Sequence, residues 1–327
     1  MRLPAATPTN VRRLTLAVLI TNVAIVVSGG AVRLTGSGLG CAQWPTCNEG
    51  NLFPTSEMPV HTYIEFTNRT FFFILAIVAL VTWLVLRKLS PARPDLTRLA
   101  LFIGLSIPAQ GVIGGITVLT GLNPYTVMVH FLISMVLVFW AAKLYSRARD
   151  LERQPQPYAN RGWQTLAYAM LVAAALTLIL GTIVTGSGPH GGDPEAGRTG
   201  FDPELMSQLH ADAVFLLVGL SLAAYAVTLA IGNPPPLRRA VLTLLGILAV
   251  QGVIGYTQYF TNLPIVLVGL HMLGAALVMM GVTYVTEELR YVGANRPKRD
   301  LPKPTDDNGD GFDGHSLASA RSLLNRR

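Results

Sequence analysis

Three histidines carry the strongest chemical signal in this 327-residue sequence. His130, His210 and His271 fall inside or at the ends of long apolar runs, whereas His61 and His190 lie between runs and His315 in a polar C-terminal stretch. Gln110-Gly111-Val112-Ile113-Gly114 begins twenty residues before His130, and Gln251-Gly252-Val253-Ile254-Gly255 begins twenty residues before His271, so both landmarks shift by 141 positions. A step of 142 back from His210 lands on Asn68. One histidine-bearing unit is therefore expected to have been duplicated, with three of four equivalent positions histidine and the fourth an amide. Two neutral imidazoles on separate helices in an apolar cavity suit haem, whose macrocycle is hydrophobic and whose iron takes axial histidines. Zinc would want further Cys, Asp or Glu ligands. An interhelical hydrogen bond is the bland alternative for any one intramembrane histidine, and three at repeat-related positions count against it.

A second group of reactive side chains precedes His130. Cys41 and Cys47, the only cysteines, flank Trp44-Pro45 between the first two apolar runs, where an oxidising compartment permits a disulfide. A structural staple and a redox-active dithiol both remain open for them. Glu65 stands at the entry to the second run, one helical turn before Asn68 and on the same face. Its carboxylate is placed to take a proton or stabilise a cationic intermediate, and Arg69 beside it to pair with Glu65 or with a haem propionate. Glycines crowd the same regions: Gly29, Gly30, Gly36, Gly38 and Gly40 at the end of the first run, Gly111, Gly114 and Gly115 in the third, Gly252 and Gly255 in the seventh. They permit close approach of helices or of a flat ligand.

The elements that must position these groups are membrane helices. Hydrophobic residues make up 51% and charged residues 13% of the chain, and the mean hydropathy is +0.45, too apolar for a soluble protein of this length. Apolar runs long enough to span a bilayer occur at 14–33, 67–86, 98–119, 124–143, 163–185, 207–231, 238–258 and 263–286. In lipid such runs are helices, because no water is present to satisfy the backbone. The expected fold is thus an all-α integral membrane protein with eight transmembrane helices, arranged as two parallel-repeat four-helix bundles. Four spans per half send both halves into the membrane from the same side. Lys and Arg concentrate before the first run, in every second connection and after the last, which predicts cytoplasmic termini in a bacterial cell membrane. The first run is long for a signal peptide and is read as a retained span.

Residues 1–142 form the N-terminal half, 143–162 a basic linker, 163–289 the C-terminal half and 290–327 a disordered cytoplasmic tail. The net charge of +7 is spread over the loops, which excludes a nucleic-acid partner. Within the tail, Asp306, Asn308, Asp310 and Gly311 imitate the start of a calcium loop, but Leu317 occupies the position that needs a bidentate carboxylate.

Thr35-Gly36-Ser37-Gly38, Gly40-Cys41, Trp44-Pro45-x-Cys47, Glu65-x-x-Asn68-Arg69 and the histidines 130, 210 and 271 together resemble the haem A synthase family over about residues 14–286. That resemblance implies a membrane oxidoreductase that converts a methyl group of haem O to the formyl group of haem A for terminal oxidase assembly. It implies a resident haem b held by His210 and His271. It also implies haem O as substrate near His130, with Glu65 catalytic and Cys41 and Cys47 as the loop pair. Haem O synthase, oxidase assembly factors and an electron acceptor of unnamed identity are the implied partners, and a homo-oligomer is left open. A b-type electron-transfer cytochrome and a haem carrier or chaperone are the competing functions. One position departs: the family's usual histidine is Asn68 here, and an amide is a poor iron ligand. Either His130 alone binds the substrate haem, or His61 reaches in, or this half has lost its chemistry; the retained Glu65, Arg69 and cysteines favour the first.

Overall fold

The computed structural model describes residues 3–41, 43–47, 59–154 and 156–292; His315 and the calcium-loop mimic lie outside the described residues. The regular structure described is helical throughout: α1 (Pro8–Leu34), α2 (Val60–Leu86), α3 (Pro94–Leu119), α4 (Pro124–Ala148), α5 (Arg161–Ser187), α6 (Pro203–Ala230), α7 (Pro235–Phe260) and α8 (Ile265–Val292). Each is long and apolar enough to cross a bilayer, and the chain is a multi-pass membrane protein. Phe73, Ile77, Leu105, Val172, Phe215 and Val266 are each more than 60% exposed. In water that would be an adhesive surface, and in lipid it is the surface expected of a spanning helix.

Local chemistry sets the helix starts. Prolines open α1, α3, α4, α6 and α7, where a missing N–H costs nothing and the fixed φ already suits a helix. Side-chain oxygens of Thr7, Asn123, Asn160 and Asp202 accept hydrogen bonds from the first-turn N–H groups of α1, α4, α5 and α6.

Several helices outrun the apolar runs that predict them. α2 begins seven residues before position 67, so Glu65 lies within the helix rather than at its entry. α4 continues to Ala148 and α8 to Val292, which places Lys143 and Arg147 in a helix rather than in the linker. Their charges are accommodated by pairing. Glu287 is 3% exposed and meets Arg147 at 2.6 Å and Lys143 at 3.6 Å. Glu288 pairs with Arg149 and, at 3.0 Å, with Arg153. An apolarity scan stops at such residues, whereas the helix continues wherever partners satisfy the buried charge.

α1 packs on α2 and α4, and α3 closes the ring by packing on α2 and α4. α5, α6, α7 and α8 form a second ring in the same order, and the rings meet where α8 packs on α1 and α4 and where α4 packs on α5. The largest apolar core cluster spans this seam, with Val26, Met135, Met170, Leu217, Leu244 and Val282 among its buried members.

Candidate functional site

At one end of the second ring, His210 on α6 and His271 on α8 face each other with ring centres 6.2 Å apart and planes inclined by 74°. His210 Nδ1 lies 3.0 Å from the Thr177 carbonyl on α5. A carbonyl only accepts, so Nδ1 carries the proton and Nε2 keeps its lone pair. His271 Nδ1 is buried and has no protein partner. A glycine stands against each ring: a β-carbon on Gly181 would lie 3.0 Å from His210 Cε1, and one on Gly255 would lie 3.4 Å from His271 Cε1. The two imidazoles line a cavity of about 750 Å³ together with Phe215, Tyr256, Met272 and Arg33. That size lies within the roughly 300–1,000 Å³ usual for cofactor and small-molecule sites. Among the described residues no group of three or more His, Cys, Asp or Glu side chains converges to hold a bare metal ion.

The first ring repeats part of this arrangement. His130 on α4 stands against Gly114 of α3, where a β-carbon would lie 3.4 Å from Cε1, and its Nδ1 is buried without a partner. Gln110 fixes this part of α4 by donating to the His130 carbonyl at 3.2 Å and to Ser134 Oγ at 2.6 Å. Asn68 lies near Gly29 of α1 and accepts a 2.6 Å hydrogen bond from Ser28 Oγ. His61 is exposed at the start of α2 and its Nδ1 is 2.8 Å from Ser37 Oγ; it does not turn toward Asn68.

The cysteines, Glu65 and Arg69 form one assembly. Cys41 and Cys47 are joined by a disulfide and are essentially fully buried. Glu65 is 4% exposed; its Oε2 accepts the Cys41 N–H at 2.6 Å and its Oε1 accepts from Arg69 Nε at 3.1 Å and Nη2 at 2.5 Å. Arg69 also donates to the carbonyls of Gln43, Thr46 and Cys41 at 2.9–3.0 Å. These contacts account for all five guanidinium N–H donors. The loop is thus clamped to α2 through its backbone. Of the two partners expected for Arg69, Glu65 or a propionate, Glu65 and the loop take every donor in this structure.

Trp44, at the tip of the loop, lies on Gly115 of α3, so closely that a β-carbon there would come 2.5 Å from the indole. Gly114, the next residue back, faces His130. The disulfide loop therefore caps the His130 end of α3, although no hydrogen bond among the described residues joins His130 to Glu65. Gly115→Val is expected to expel the indole and loosen the cap, at an overpacking cost of about 1–3 kcal/mol. Maleimide labelling after mild reduction should become faster in Gly115→Val. It should not change in Gly104→Val, where a β-carbon meets nothing within 4 Å.

Gly181 and Thr177 were not singled out in the sequence. A signal existed for part of the pattern, because Gly114 and Gly255 precede His130 and His271 by the same sixteen residues. The partner of His210 lacks that spacing and emerges only once α5 and α6 pack.

The family model for COX15-CtaA, described as cytochrome oxidase assembly protein, matches residues 12–189, more than half of the chain. The chain belongs to this family. The matched cytochrome oxidase assembly region contains Cys41, Cys47, Glu65, Arg69 and His130. Among its relatives, the haem A synthase of Shewanella oneidensis is 26% identical over 308 residues, covering 80% of this chain and 91% of that protein. The haem A synthase of Bacillus pumilus is 30% identical over 167 residues, about half of each chain at 49% and 53%. A protohaem IX farnesyltransferase of Thermus thermophilus is 34% identical over 165 residues, covering 49% of this chain and 22% of that protein.

Proposed function

We propose that this protein is a haem A synthase, a membrane oxidoreductase that converts a methyl group of haem O to a formyl group. In this reading His210 and His271 hold a resident haem b, and haem O binds near His130 beneath the disulfide loop, with Glu65 as the reacting-site carboxylate. The 6.2 Å between the imidazole centres is the observation that carries it. A metal–nitrogen bond of about 2 Å on each side, plus roughly 1 Å from nitrogen to ring centre, spaces two imidazoles on one metal by about 6 Å. The glycines opposite both rings, the unpartnered His271 Nδ1 and the free Nε2 of His210 fit the same group.

A bound haem supplies a one-electron iron couple in an apolar medium. The chain supplies the rest. Thr177 holds the His210 ring in one tautomer, Gly181 and Gly255 keep the space beside the rings open, and Trp44 and the disulfide loop cover the other site against water. Glu65, held by Arg69 and the Cys41 N–H, is the carboxylate under that cover. His61 is turned to Ser37, which supports a substrate site with His130 as its single imidazole.

The relatives named haem A synthase support the activity, and the farnesyltransferase similarity supports a place beside the enzyme that makes haem O. Basic side chains gathered at the end opposite the histidines, Lys143, Arg147 and Arg290 among them, support cytoplasmic termini in a bacterial cell membrane. Helices α3 and α7, like α4 and α8, start 141 residues apart, which supports an internal duplication. An electron-transfer cytochrome would use the histidine pair but gives no reason for the clamped disulfide loop. Co-expression with a haem O source, followed by haem extraction, should yield formyl haem. Recovery of only unmodified haem b or haem O would refute the synthase reading.

A further inference from the structure

We infer that Arg33, at the end of the first ring's α1, is the carboxylate anchor of the His210/His271 cavity in the second ring. The inference rests on the resident-haem reading above and adds to it a residue for which neither histidine chemistry nor the duplicated pattern calls.

Arg33 lines the cavity that holds both histidines, and among the lining residues it is the sole cation; Glu204 is the sole carboxylate. Its guanidinium is already aimed. Nε donates to the His190 carbonyl at 2.6 Å and Nη2 to the Thr185 carbonyl at 2.8 Å, leaving Nη1 without an acceptor among the described residues. None of the ion pairs among the described residues includes Arg33, so Glu204 does not neutralise it. Arg198 stands alongside, donating to the Pro189 carbonyl next in sequence to the one Arg33 uses, and among the described residues it too has no carboxylate partner. Arg33 is half-buried and Arg198 exposed; a half-buried guanidinium with no anion beside a second cation carries a desolvation and repulsion cost that a ligand carboxylate at this point lowers.

The register places that carboxylate relative to the histidines. Thr185, whose carbonyl Arg33 holds, lies one turn of α5 beyond Gly181, the residue against the His210 ring. A turn advances about 5.4 Å. Arg33 therefore sits one turn from the His210 imidazole, toward the C-terminal end of α5. A ligand with a metal at its centre and ionised carboxylates on its edge, which is the chemistry of an iron porphyrin bearing propionates, meets both features at once. Lysine would supply a point charge there; arginine offers a planar fork that holds two backbone carbonyls and still presents a donor.

The test compares haemin with haemin dimethyl ester, whose propionates carry no charge. The full-length protein, depleted of haem in detergent, is titrated with each, and the low-spin bis-histidine absorption is followed. The unaltered protein should prefer the free acid by about tenfold or more, the usual range for a charge-assisted hydrogen bond. Arg33→Gln should bind the ester as the unaltered protein does and lose most of the preference, and Arg33→Lys should retain part of it. Arg33→Gln that keeps the full preference would show that the carboxylate is met elsewhere. Equal weakening toward both haems in Arg33→Gln, not restored in Arg33→Lys, would make Arg33 a brace for residues 185–190; either result overturns the inference while leaving a haem at His210 and His271. Absence of the low-spin spectrum with either haem in the unaltered protein would instead remove the resident-haem reading itself.

Discussion

Replacing His210 or His271 with alanine should abolish the low-spin bis-histidine haem spectrum, whereas His130→Ala should leave it in place. The two rings sit across one apolar cavity, each backed by a glycine, and truncating either leaves that side lined by side chains such as Phe215, Tyr256 and Met272. A methionine or tyrosine can ligate haem iron, but neither restores a bis-histidine spectrum. Even loss of a second-shell partner typically costs about 10–100-fold in metal affinity, so loss of the ligand itself should cost more, and haem content should fall with the spectrum. His130 belongs to the other ring and lies against Gly114 of α3, so its loss should affect only what binds beneath the disulfide loop. The check is a haem-to-protein ratio with a reduced-minus-oxidised spectrum on each purified variant. A bis-histidine signal that survives His271→Ala and vanishes in His130→Ala would reverse the assignment of the two rings.

Much of this architecture is legible from residue type and spacing because the membrane imposes it. Eight runs long enough to cross hydrocarbon can only be helices, and eight are present among the described residues. The ends were harder to read. Glu287 and Glu288 stop any apolarity scan, yet α8 passes through both because Arg147, Lys143, Arg149 and Arg153 reach them from α4 and the following connection. The histidines were visible through the equal offsets of Gln110 and Gln251. Their surroundings were not, since the contacts of Gly181 with His210 and of Arg33 with Thr185 join residues far apart in sequence and depend on how α5 packs on its neighbours. The pairing of Glu65 with Arg69 follows from helical i,i+4 geometry. Its attachment to the Cys41, Gln43 and Thr46 backbone does not, because loop conformation has no periodicity to reveal it.

That attachment leads to the second large expected effect. In Arg69→Ala the loop loses three backbone anchors, and Glu65 remains as a buried charge without its cation, a change that typically costs about 3–5 kcal/mol. The disulfide should then become accessible, with reduction by a mild thiol faster by about two orders of magnitude or more if cap opening limits the rate. Arg69→Lys should fall between, because an ammonium offers three donors where five are in use. Glu65→Gln separates anchoring from chemistry. The amide oxygen can still accept one of the present hydrogen bonds, so the loop should loosen less than in Arg69→Ala. Any proton held at Glu65 during turnover must come to an oxygen that already accepts from Cys41 or Arg69, and neutralising the carboxylate weakens its charge-assisted bonds to Arg69, so proton uptake there is an event that loosens the clamp. Glu65→Gln removes that event. It should therefore lose formyl-haem production while keeping the His210/His271 haem and a slowly reduced disulfide. If Glu65→Gln still makes formyl haem, Glu65 serves only to fasten the loop, and the reacting-site carboxylate has to be sought elsewhere in the first ring.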